Sequence, residues 1–388
     1  MSRSIYSKKR LNLTNPLAFW RHFDGKERVF FYDPLSKKTI LGAKRMKVFS
    51  ASDSFQDYEY AFSARAFFDS VQDEKWTGFG NETIAFQYYF VQENDTGTLY
   101  FAGDAPEIKD AKINGRQHAC LHHDPGYESW KTLFFLMRDA MASHEVEKVV
   151  ISREVLIKCD SPVRVESVIK NLLEKNDSSF TFAWHKDGKT FLGSTPEILA
   201  QKKGDIITSY ALAGTIPRSS LNDDLQKPRF LHDTKNLHEH QIVLDAIAGI
   251  MREYGKDVTI GETSVLTLKN LHHLITPIRS NAEASTLLEW VTRLHPTPAM
   301  GGHPADKALA LIRKHESHER GLYAAPIGMM DKNGDGVFVV GIRSALVVGD
   351  TVYAYVGCGL VDESECDSEY MESTNKLKTI RESLIKER

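Results

Sequence analysis

Hydrophobic residues recur along this chain at two different spacings, and each spacing predicts a different element. The stretch "NLHEHQIVLDAI" begins at Asn236, and Ile242, Val243, Ala246 and Ile250 follow at intervals of one, three and four positions. Side chains at that spacing share one face of an α-helix. We therefore predict a helix here with one apolar, buried face.

The stretch "SPVRVESVIKNLLEKN" repeats the helical spacing, and the residues after it change to a period of two. We expect Ser161 to cap this helix with its hydroxyl and Pro162 to occupy the first turn. In "SFTFAWHKDGKTFLGSTPEILA", apolar and polar residues alternate on both sides of Asp187 and Gly188. That alternation predicts two strands joined by a tight turn at Asp187-Gly188.

The last third of the chain predicts two helices around a β-meander. One helix is expected from Pro304 to a stop near Gly321, and the other in "SEYMESTNKLKTIRESLIK". The meander strands are "AAPIGMM", "GVFVVGIRSALVV" and "TVYAYVGCGLV". Strand pairs joined by short turns and alternating with helices indicate an α/β (α+β) fold, a single large domain of mainly antiparallel β-sheets flanked by helices. No shift in composition marks a boundary within residues 1–388.

Composition narrows the class of protein. The 388 residues carry a formal charge of −3 and include 41% hydrophobic residues, which is an ordinary globular composition. This near-neutral balance gives no electrostatic reason to expect nucleic acid as a partner. No apolar run approaches the roughly 20 residues of a membrane helix, and the N-terminus lacks the apolar core of a signal peptide. Four cysteines without a CxxC pair suit a reducing compartment, so we predict a cytoplasmic protein that does not bind membranes.

Two motifs resemble metal sites without meeting the required spacing. His238 and His240 flank a glutamate, but a zinc-binding H-E-x-x-H helix would need a histidine where Ile242 stands. The motif "DKNGDG" from Asp331 begins like a calcium loop, but the bidentate glutamate of that loop is replaced by Ile342. We interpret the second motif as a β-turn rich in Asp, Asn and Gly.

The glutamate between these histidines, Glu239, precedes Ile242 and Val243 by three and four positions, so it extends the apolar helix face. A buried carboxylate is costly unless a cation, a metal ion or a proton neutralises it. The alternative is a partly exposed glutamate in the first turn, where the helix dipole favours negative charge. The helix by itself leaves both interpretations open.

The final helix carries a related pattern. Glu369, Glu372 and Lys376 share one helix face, and two neighbouring carboxylates repel each other unless a positive charge lies nearby. An exposed ladder of salt bridges is one interpretation. Three glutamates from two helices, without matching thiolates or paired histidines, would also suit a hard, oxygen-seeking cation, Mg²⁺ above all.

One arginine stands in an apolar sequence surrounded by small residues. We predict that Arg343 lies in the middle of a strand with Gly341 and Ala345 on its face. The space left by these small residues would allow the guanidinium to hold a carboxylate with two hydrogen bonds, and a structural ion pair is the alternative. Gly357 and Gly359 of "GCG" would allow another group to approach the backbone closely.

A series of short blocks, taken in order, resembles the isochorismate synthases of the chorismate-utilising enzyme family. The blocks are "EKVVISR", "FLGSTPEIL", "ALAGT", "LHEHQIV", "LHPTPAMGGHP", "ERGLYAAPIG", "GIRSAL", "GCGLV" and "EYMESTNKL". They fall within residues 131–388, which the resemblance identifies as the motif-bearing catalytic part of one chorismate-binding domain. Residues 1–130 correspond to the variable N-terminal part of the same domain.

The resemblance implies Mg²⁺-dependent conversion of chorismate to isochorismate. Lys148 matches the general base that activates a water for attack at ring C2, and Glu197 matches the general acid that protonates the departing C4 hydroxyl. These roles require a neutral amine at Lys148. They also require a carboxyl at Glu197 whose pKa is raised by desolvation, so that it holds its proton near neutral pH.

The resemblance also assigns the metal ligands and the substrate contacts. Glu239 and Glu372 match Mg²⁺ ligands, with Glu369 reaching the ion through water, and Arg343 and Tyr323 match residues that hold the enolpyruvyl carboxylate. The other positions implied to line the substrate pocket are Gly214, Thr215, His273, Thr297, Ala299, Gly357, Gly359 and Lys376.

Single positions separate the activities within the family. Ala213 stands where aminodeoxychorismate synthases of one type carry a nucleophilic lysine, and anthranilate synthases lack a lysine matching Lys148. Salicylate synthases share Lys148 and Glu197 but go on to eliminate pyruvate. The block "LHPTPAMGG", with its Ala299, resembles the non-eliminating branch.

Three positions depart from the family pattern. Asn236 replaces a residue that is often acidic, which weakens any metal contact there, and Cys358 and Met300 replace other small or apolar residues. We expect a monomer that acts on chorismate in menaquinone biosynthesis and not in a siderophore pathway. The alternatives are a salicylate synthase and a catalytically dead homologue that only binds a carboxylate ligand.

Overall fold

The computed structural model describes residues 4–50, 53–115, 118–218, 222–282 and 284–385. The helices of these residues lie between and after the strands, and none is long and apolar enough to cross a membrane. They are α1 (Leu17–His22), α2 (Gly126–Ala142), α3 (Val165–Lys175), α4 (Asp223–Phe230), α5 (Thr234–Tyr254), α6 (Leu287–Leu294), α7 (Ala305–His315) and α8 (Cys366–Leu384).

The strands of the described residues pair with one another in antiparallel fashion only. They are β1 (Ser7–Arg10), β2 (Arg28–Asp33), β3 (Lys38–Val48), β4 (Tyr60–Ala64), β5 (Glu82–Glu93), β6 (Thr96–Phe101), β7 (Cys120–His123), β8 (Lys148–Cys159), β9 (Phe180–Lys186), β10 (Lys189–Thr195), β11 (Ile198–Lys203), β12 (Ile206–Pro217), β13 (Lys256–Ile260), β14 (Ser264–Thr267), β15 (Leu271–Asn281), β16 (Gly302–His303), β17 (Pro326–Asp331), β18 (Gly336–Val340), β19 (Ser344–Val348) and β20 (Thr351–Leu360).

The pairings form one continuous path with two parts. The first part runs β7–β8–β20–β19–β10–β9–β2–β3–β5. The second part continues β4–β17–β18–β11–β12–β15. Phe182 and Phe191 of the first part belong to the same buried cluster as Ile327 and Phe338 of the second. The two parts of the sheet therefore share one hydrophobic core.

Side chains alternate between the two faces of the first part, as strand geometry requires. In β9, Phe182 and Trp184 enter the shared core, whereas Ala183 joins a second cluster that α1, α3 and α8 cover. A third cluster joins α2 and α7 to the beginning of β8. Helix α5 packs against β12 and β15 of the second part. Helix α8 therefore covers the first part of the sheet, and helix α5 packs against the second part.

The structure confirms the predicted hairpin and the antiparallel fold class, but the cap assigned to α3 is wrong. Asp187 and Gly188 both have positive φ, 49° and 75°, as the tight turn of a two-residue hairpin requires. Helix α3 begins at Val165 with Arg164 as the preceding residue. Ser161 does not cap it because its hydroxyl lies within hydrogen-bond distance of Asp160, at 3.2 Å.

The predicted end of the helix after Pro304 is also wrong. Helix α7 ends at His315, because Glu316 turns into extended backbone with ψ of 135°. Its carboxylate then accepts hydrogen bonds from the Arg320 side chain. The polar sequence beyond His315 therefore folds back on the helix end instead of adding a turn to it.

The segment "GVFVVGIRSALVV" is two strands, so the prediction that Arg343 lies in the middle of one strand is wrong. Strand β18 ends at Val340, β19 begins at Ser344, and Arg343 lies between them with φ of 50°. Strand β18 pairs in the second part of the sheet and β19 in the first. The chain crosses between the two parts at Arg343, and this crossing breaks the alternation.

Candidate active site

A cavity is lined by residues of β8, β12, β20, α5 and α8, by the loop after β10 and by the segment between β18 and β19. Most of the residues predicted from the sequence line it. These are Glu197, Gly214, Thr215, Glu239, His273, Ala299, Tyr323, Arg343, Gly357, Gly359, Glu372 and Lys376. The tertiary structure therefore brings together residues that are up to 179 positions apart in the sequence, the difference between 376 and 197.

Lys148, the predicted base, is the first residue of β8 and is fully buried next to Glu239 of the cavity lining. Its Nζ donates a hydrogen bond to Oε1 of Glu239 on α5, at 2.8 Å. Gly359 on the neighbouring strand makes room for this contact, since a Cβ there would lie 2.6 Å from Glu239 Oε1 and 3.2 Å from Lys148 Nζ. Any side chain at Gly359 would therefore disturb the pair.

Glu197, the predicted acid, lies between β10 and β11 with only 5% of its surface exposed. Burial raises the pKa of this carboxyl to about 7, although the positive charges of Lys376, Lys148 and Arg343 act to lower it. Among the described residues, no donor makes a hydrogen bond to its carboxylate oxygens. The raised pKa lies in the direction that an acid role would require, because such a group can hold a proton near neutral pH.

The remaining acidic residues lie on α8, each beside a lysine. Glu372 lies 2.7 Å from Lys376, and Glu369 lies 2.6 Å from Lys235. Burial raises the pKa of Glu369, and the charges of Glu372 and Glu239 raise it further. The exposed ladder of salt bridges is therefore excluded for Glu369, whose side chain is only 2% exposed. The three carboxylates are close enough to repel one another.

These three carboxylates fit a magnesium ion by their chemistry. Mg²⁺ prefers hard oxygen ligands, and Glu239, Glu369 and Glu372 supply only carboxylate oxygens. Each of them forms an ion pair with a lysine in the structure. In the part of the chain that is described, no three His, Cys, Asp or Glu side chains are clustered closely enough to hold a metal as they stand. Metal binding would replace the lysines as the partners of these carboxylates.

Arg343 presents a positive charge to the cavity and forms no ion pair with any described carboxylate. Its guanidinium is buried, its Nη2 lies 3.2 Å from His273 Nε2, and its Nε has no hydrogen-bond partner within the described residues. Burial lowers the pKa of Arg343 to about 10. Burial and the Arg343 charge also hold the pKa of His273 well below its usual value, so this imidazole is neutral. A buried guanidinium with free donors is suited to bind an anion.

A bulge in β12 shapes the part of the cavity wall formed by residues 212–215. The register with β15 shifts between Ala213 and Thr215, and Gly214 at the shift has φ of 79°. A Cβ on Gly214 would lie 3.0 Å from the carbonyl oxygen of Asn236. The side chain of Asn236 accepts a hydrogen bond from the Thr215 backbone at 2.9 Å. Asn236 therefore holds the bulge in place.

Three of the predicted residues lie outside the cavity lining. Lys148 pairs with Glu239, which lines the cavity, whereas Glu369 pairs with Lys235, which is not among the lining residues either. Thr297 is buried in a turn, where its carbonyl accepts hydrogen bonds from Met300 and Gly301. For Thr297, the structure shows a turn residue and gives no contact with the cavity.

The sequence reasoning did not identify several apolar and aromatic wall residues. Tyr355 is the most notable, because its ring stacks on Tyr323 with 5.4 Å between the ring centroids. Gly357 leaves room for the Tyr323 hydroxyl, because a Cβ at this position would lie only 3.0 Å from it. Apolar side chains carry no chemical signal, which is why they were missed. The others are Val150, Pro196, Leu212, Ile342 and Val356.

Comparisons with known proteins agree with this geometry. The sequence model of one protein family, described as chorismate binding enzyme, matches residues 104–385. The chain is 38% identical over 265 residues to isochorismate synthase MenF of Bacillus subtilis, covering 67% of this chain and 56% of that protein. It is 40% identical over 221 residues to the salicylate biosynthesis isochorismate synthase of Pseudomonas aeruginosa, covering 56% of this chain and 46% of that protein. The chain thus spans about half the length of these two relatives.

A solved structure shows the same fold over nearly the whole chain. The structure of MenF, the menaquinone-specific isochorismate synthase from Escherichia coli, matches with a TM-score of 0.85. The match covers 98% of this chain and 94% of that chain at 21% sequence identity. The likeness therefore includes the N-terminal strands as well as the part of the chain that carries the motifs.

Proposed function

This chain belongs to the family of chorismate-binding enzymes, and we propose that it converts chorismate to isochorismate. Water adds at ring C2, and the C4 hydroxyl leaves as water, so the atoms of the substrate are conserved. The observation that supports this most is the buried carboxyl of Glu197, whose pKa of about 7 suits a general acid. It lines the same cavity as Glu239, the hydrogen-bond partner of Lys148.

In this mechanism Glu197 gives its proton to the departing hydroxyl. An unprotonated hydroxide is a poor leaving group, so a positioned acid lowers the barrier, typically by about 10²–10⁴-fold in rate. Burial keeps the Glu197 carboxyl protonated near neutral pH despite the three cations around it. The same burial excludes bulk water from this proton.

Lys148 acts as the base on the other side of the ring. Its amine, once unprotonated, takes a proton from the attacking water. In the structure Nζ donates a hydrogen bond to Glu239, and Mg²⁺ on this carboxylate would release the amine for this step. Ala213 in the wall has no amine, so a covalent adduct cannot form at that position, and this favours water as the nucleophile.

Arg343 and Tyr323 hold a carboxylate of the substrate. The free Nε of Arg343 and its other donors are buried at the cavity wall, where a charge-assisted bond is strong. Burial raises the pKa of Tyr323, so its hydroxyl keeps its proton and can donate. Glu239, Glu369 and Glu372 would hold Mg²⁺, which supplies positive charge for a second carboxylate when it is bound.

We further propose that the product enters menaquinone biosynthesis. The support is the similarity to MenF of Bacillus subtilis, 38% identical over 265 residues. Complementation of bacterial strains lacking either the menaquinone or the siderophore isochorismate synthase tests this proposal. Rescue of the siderophore strain alone would contradict it.

Proton NMR of the purified protein with chorismate tests the reaction, first with Mg²⁺ and then with EDTA. We expect a mixture of chorismate and isochorismate that forms only with Mg²⁺ and without pyruvate. Stoichiometric pyruvate and salicylate would identify a salicylate synthase instead. Binding of chorismate without any new product would identify a catalytically dead homologue. Product formation that EDTA does not change would contradict the role of the metal.

A further inference from the structure

Two cysteine thiols lie in contact far from the cavity. The Sγ atoms of Cys120 and Cys159 are 2.6 Å apart, and both cysteines are free thiols in the structure. This distance is shorter than the roughly 3.5–4.0 Å at which non-bonded heavy atoms are most stable. It is only somewhat longer than the roughly 2 Å of an S–S bond. Neither residue belongs to the proposed mechanism.

The backbone around these thiols has the geometry that a disulfide needs. Cys120 of β7 and Cys159 of β8 are direct partners in the antiparallel register. The backbone N–H of Asp160 donates to Ala119, while the N–H of Cys159 donates away from β7, to Asp350. The two cysteines are therefore a non-hydrogen-bonded pair, in which the Cα atoms lie about 4.5 Å apart. That separation falls within the range of about 4.4–6.8 Å that disulfides span.

We propose that Cys120 and Cys159 are a redox modification site, where a low-molecular-weight disulfide oxidises them to a reversible cross-strand disulfide. The Cys120 thiolate attacks the oxidant and releases one thiol, forming a mixed disulfide. The Cys159 thiolate then attacks the Cys120 sulfur and releases the second thiol. One S–S bond forms in the protein, two protons leave, and the oxidant takes up two electrons.

The surroundings determine the order of these two steps. Cys159 is buried and Cys120 is partly exposed, so only Cys120 is open to an external oxidant. Burial raises the pKa of both thiols, so oxidation is slow at neutral pH and becomes faster as the pH rises. The thiol of Cys159, already in contact with Cys120, is placed to complete the bond.

The bond would act on stability and not on catalysis. It would link residues 39 positions apart and fasten β7, which pairs only with β8 among the described strands. His118, two residues before β7, donates its backbone N–H to the carbonyl of Leu384 at the end of α8. Lys148 lies at the opposite end of β8, so the geometry of the cavity would not change.

Peptide mapping of the purified full chain tests the proposal. The reduced protein is incubated with oxidised glutathione and digested with trypsin without reduction. We expect peptide 117–131 joined to peptide 159–164 and lighter than their sum by two hydrogen atoms, with dithiothreitol separating them again. We also expect the melting temperature to rise by a few °C, because the bond restricts the unfolded chain.

Variants separate this pair from the other cysteines. Cys120→Ser should lose both the joined peptide and the rise in melting temperature on oxidation, and Cys366→Ser should keep both. Three results would overturn the proposal. These are glutathione attached to Cys120 with Cys159 still free, two unmodified thiols after prolonged oxidation at alkaline pH, and a disulfide that joins two copies of the chain.

Discussion

Two buried glutamates, Glu197 and Glu316, have opposite pKa shifts. Glu197 is 5% exposed, and the side chain of Glu316 is 3% exposed. Burial raises the pKa of Glu197 to about 7. Burial also acts to raise the pKa of Glu316, but the charge and hydrogen bonds of Arg320, together with His318 and Ser152, hold it below the usual value. The degree of burial therefore does not explain the difference.

Hydrogen-bond donors explain it. Glu316 accepts two bonds from Arg320, at 2.8 and 2.6 Å, and two from the backbone and hydroxyl of Ser152, at 2.7 and 2.8 Å. No described donor bonds the Glu197 carboxylate, and its charged neighbours act only through space. Donors stabilise the anion, so Glu316 is a permanent structural charge and Glu197 is able to carry a proton.

The two glutamates also differ in what surrounds them. Arg320 donates to the carbonyls of Val150 and Met300 as well as to Glu316. Because Val150 and Met300 both line the cavity, this ion pair holds the wall from behind. The Glu316–Arg320 ion pair makes the cavity wall rigid, whereas Glu197 is a group that can change its charge.

The largest effect is expected from a substitution that removes the acidic proton of Glu197. Glu197→Gln should lower kcat by about 10²–10⁴-fold, the usual contribution of an acid group. In the unaltered protein, kcat/KM should fall as pH rises through about 7, because Glu197 then loses its proton. Rates of isochorismate formation measured across pH test both statements. A variant that keeps the fall near pH 7 would assign that titration to another group.

Lys148→Ala should reduce kcat by a similar factor of about 10²–10⁴, because the base is lost while the substrate carboxylate contacts remain. Lys158→Ala is a matched control in the same strand, since its side chain is 58% exposed and pairs with Asp350. Steady-state kinetics of both variants make the comparison. Equal activity in the two variants would exclude Lys148 as the base.

Glu316→Gln should act on folding instead of chemistry. Removing one partner of a buried ion pair costs about 3–5 kcal/mol of unfolding free energy, because the Arg320 charge is left without its counter-charge. Glu363→Gln is the control, since this half-exposed residue lies at the surface beside His238 and should change stability by less than about 0.5 kcal/mol. Denaturant unfolding measures both. A stable variant would show that the pair is not needed to hold the wall.

Arg343→Ala should weaken substrate binding. The loss of hydrogen bonds between a guanidinium and a carboxylate costs about 1.5–3 kcal/mol, which raises KM about 10- to 100-fold. We expect kcat to change much less than KM, because this contact exists before and after the chemical step. A variant with unchanged KM and reduced kcat would contradict the binding role.

The smallest effect is expected at Gly359. A methyl group there would press on Glu239 and Lys148, so Gly359→Ala should cost about 1–3 kcal/mol through overpacking and reduce activity. Gly249→Ala on α5 is the control, because a Cβ there meets no atom within 4 Å. Thermal unfolding and kinetics compare the two variants. Full activity of Gly359→Ala would show that the Lys148–Glu239 pair tolerates displacement.

Local patterns predicted much of the fold, whereas the family resemblance identified most of the cavity residues. The helical spacing of Glu369, Glu372 and Lys376 places them on one face of α8, and the structure confirms that they lie near Glu239. The Asp187-Gly188 turn followed from residue preferences alone. These predictions succeed because each depends on a few neighbouring residues. The family resemblance then supplied the roles, which no local pattern contains.

Long-range pairing decided the features that the sequence did not predict. Arg343 was expected within a strand, but β18 and β19 pair in different parts of the sheet and the chain crosses there. The contact between Cys120 and Cys159 likewise depends on the register of β7 with β8. Neither register is visible in hydrophobic spacing, because the spacing describes one strand and not its partner.

The sequence by itself determined which residues could act as acids, bases and cations and, except for Arg343, on which elements or connections they lie. Only the tertiary structure decided which of these groups meet and whether each of them carries a charge. Lys148 and Glu239 are 91 positions apart and meet at 2.8 Å, while Glu197 and Glu316 have opposite pKa shifts in equally dry surroundings. The charge of a buried carboxyl depends on the donors that folding brings to it, and those donors come from distant parts of the chain.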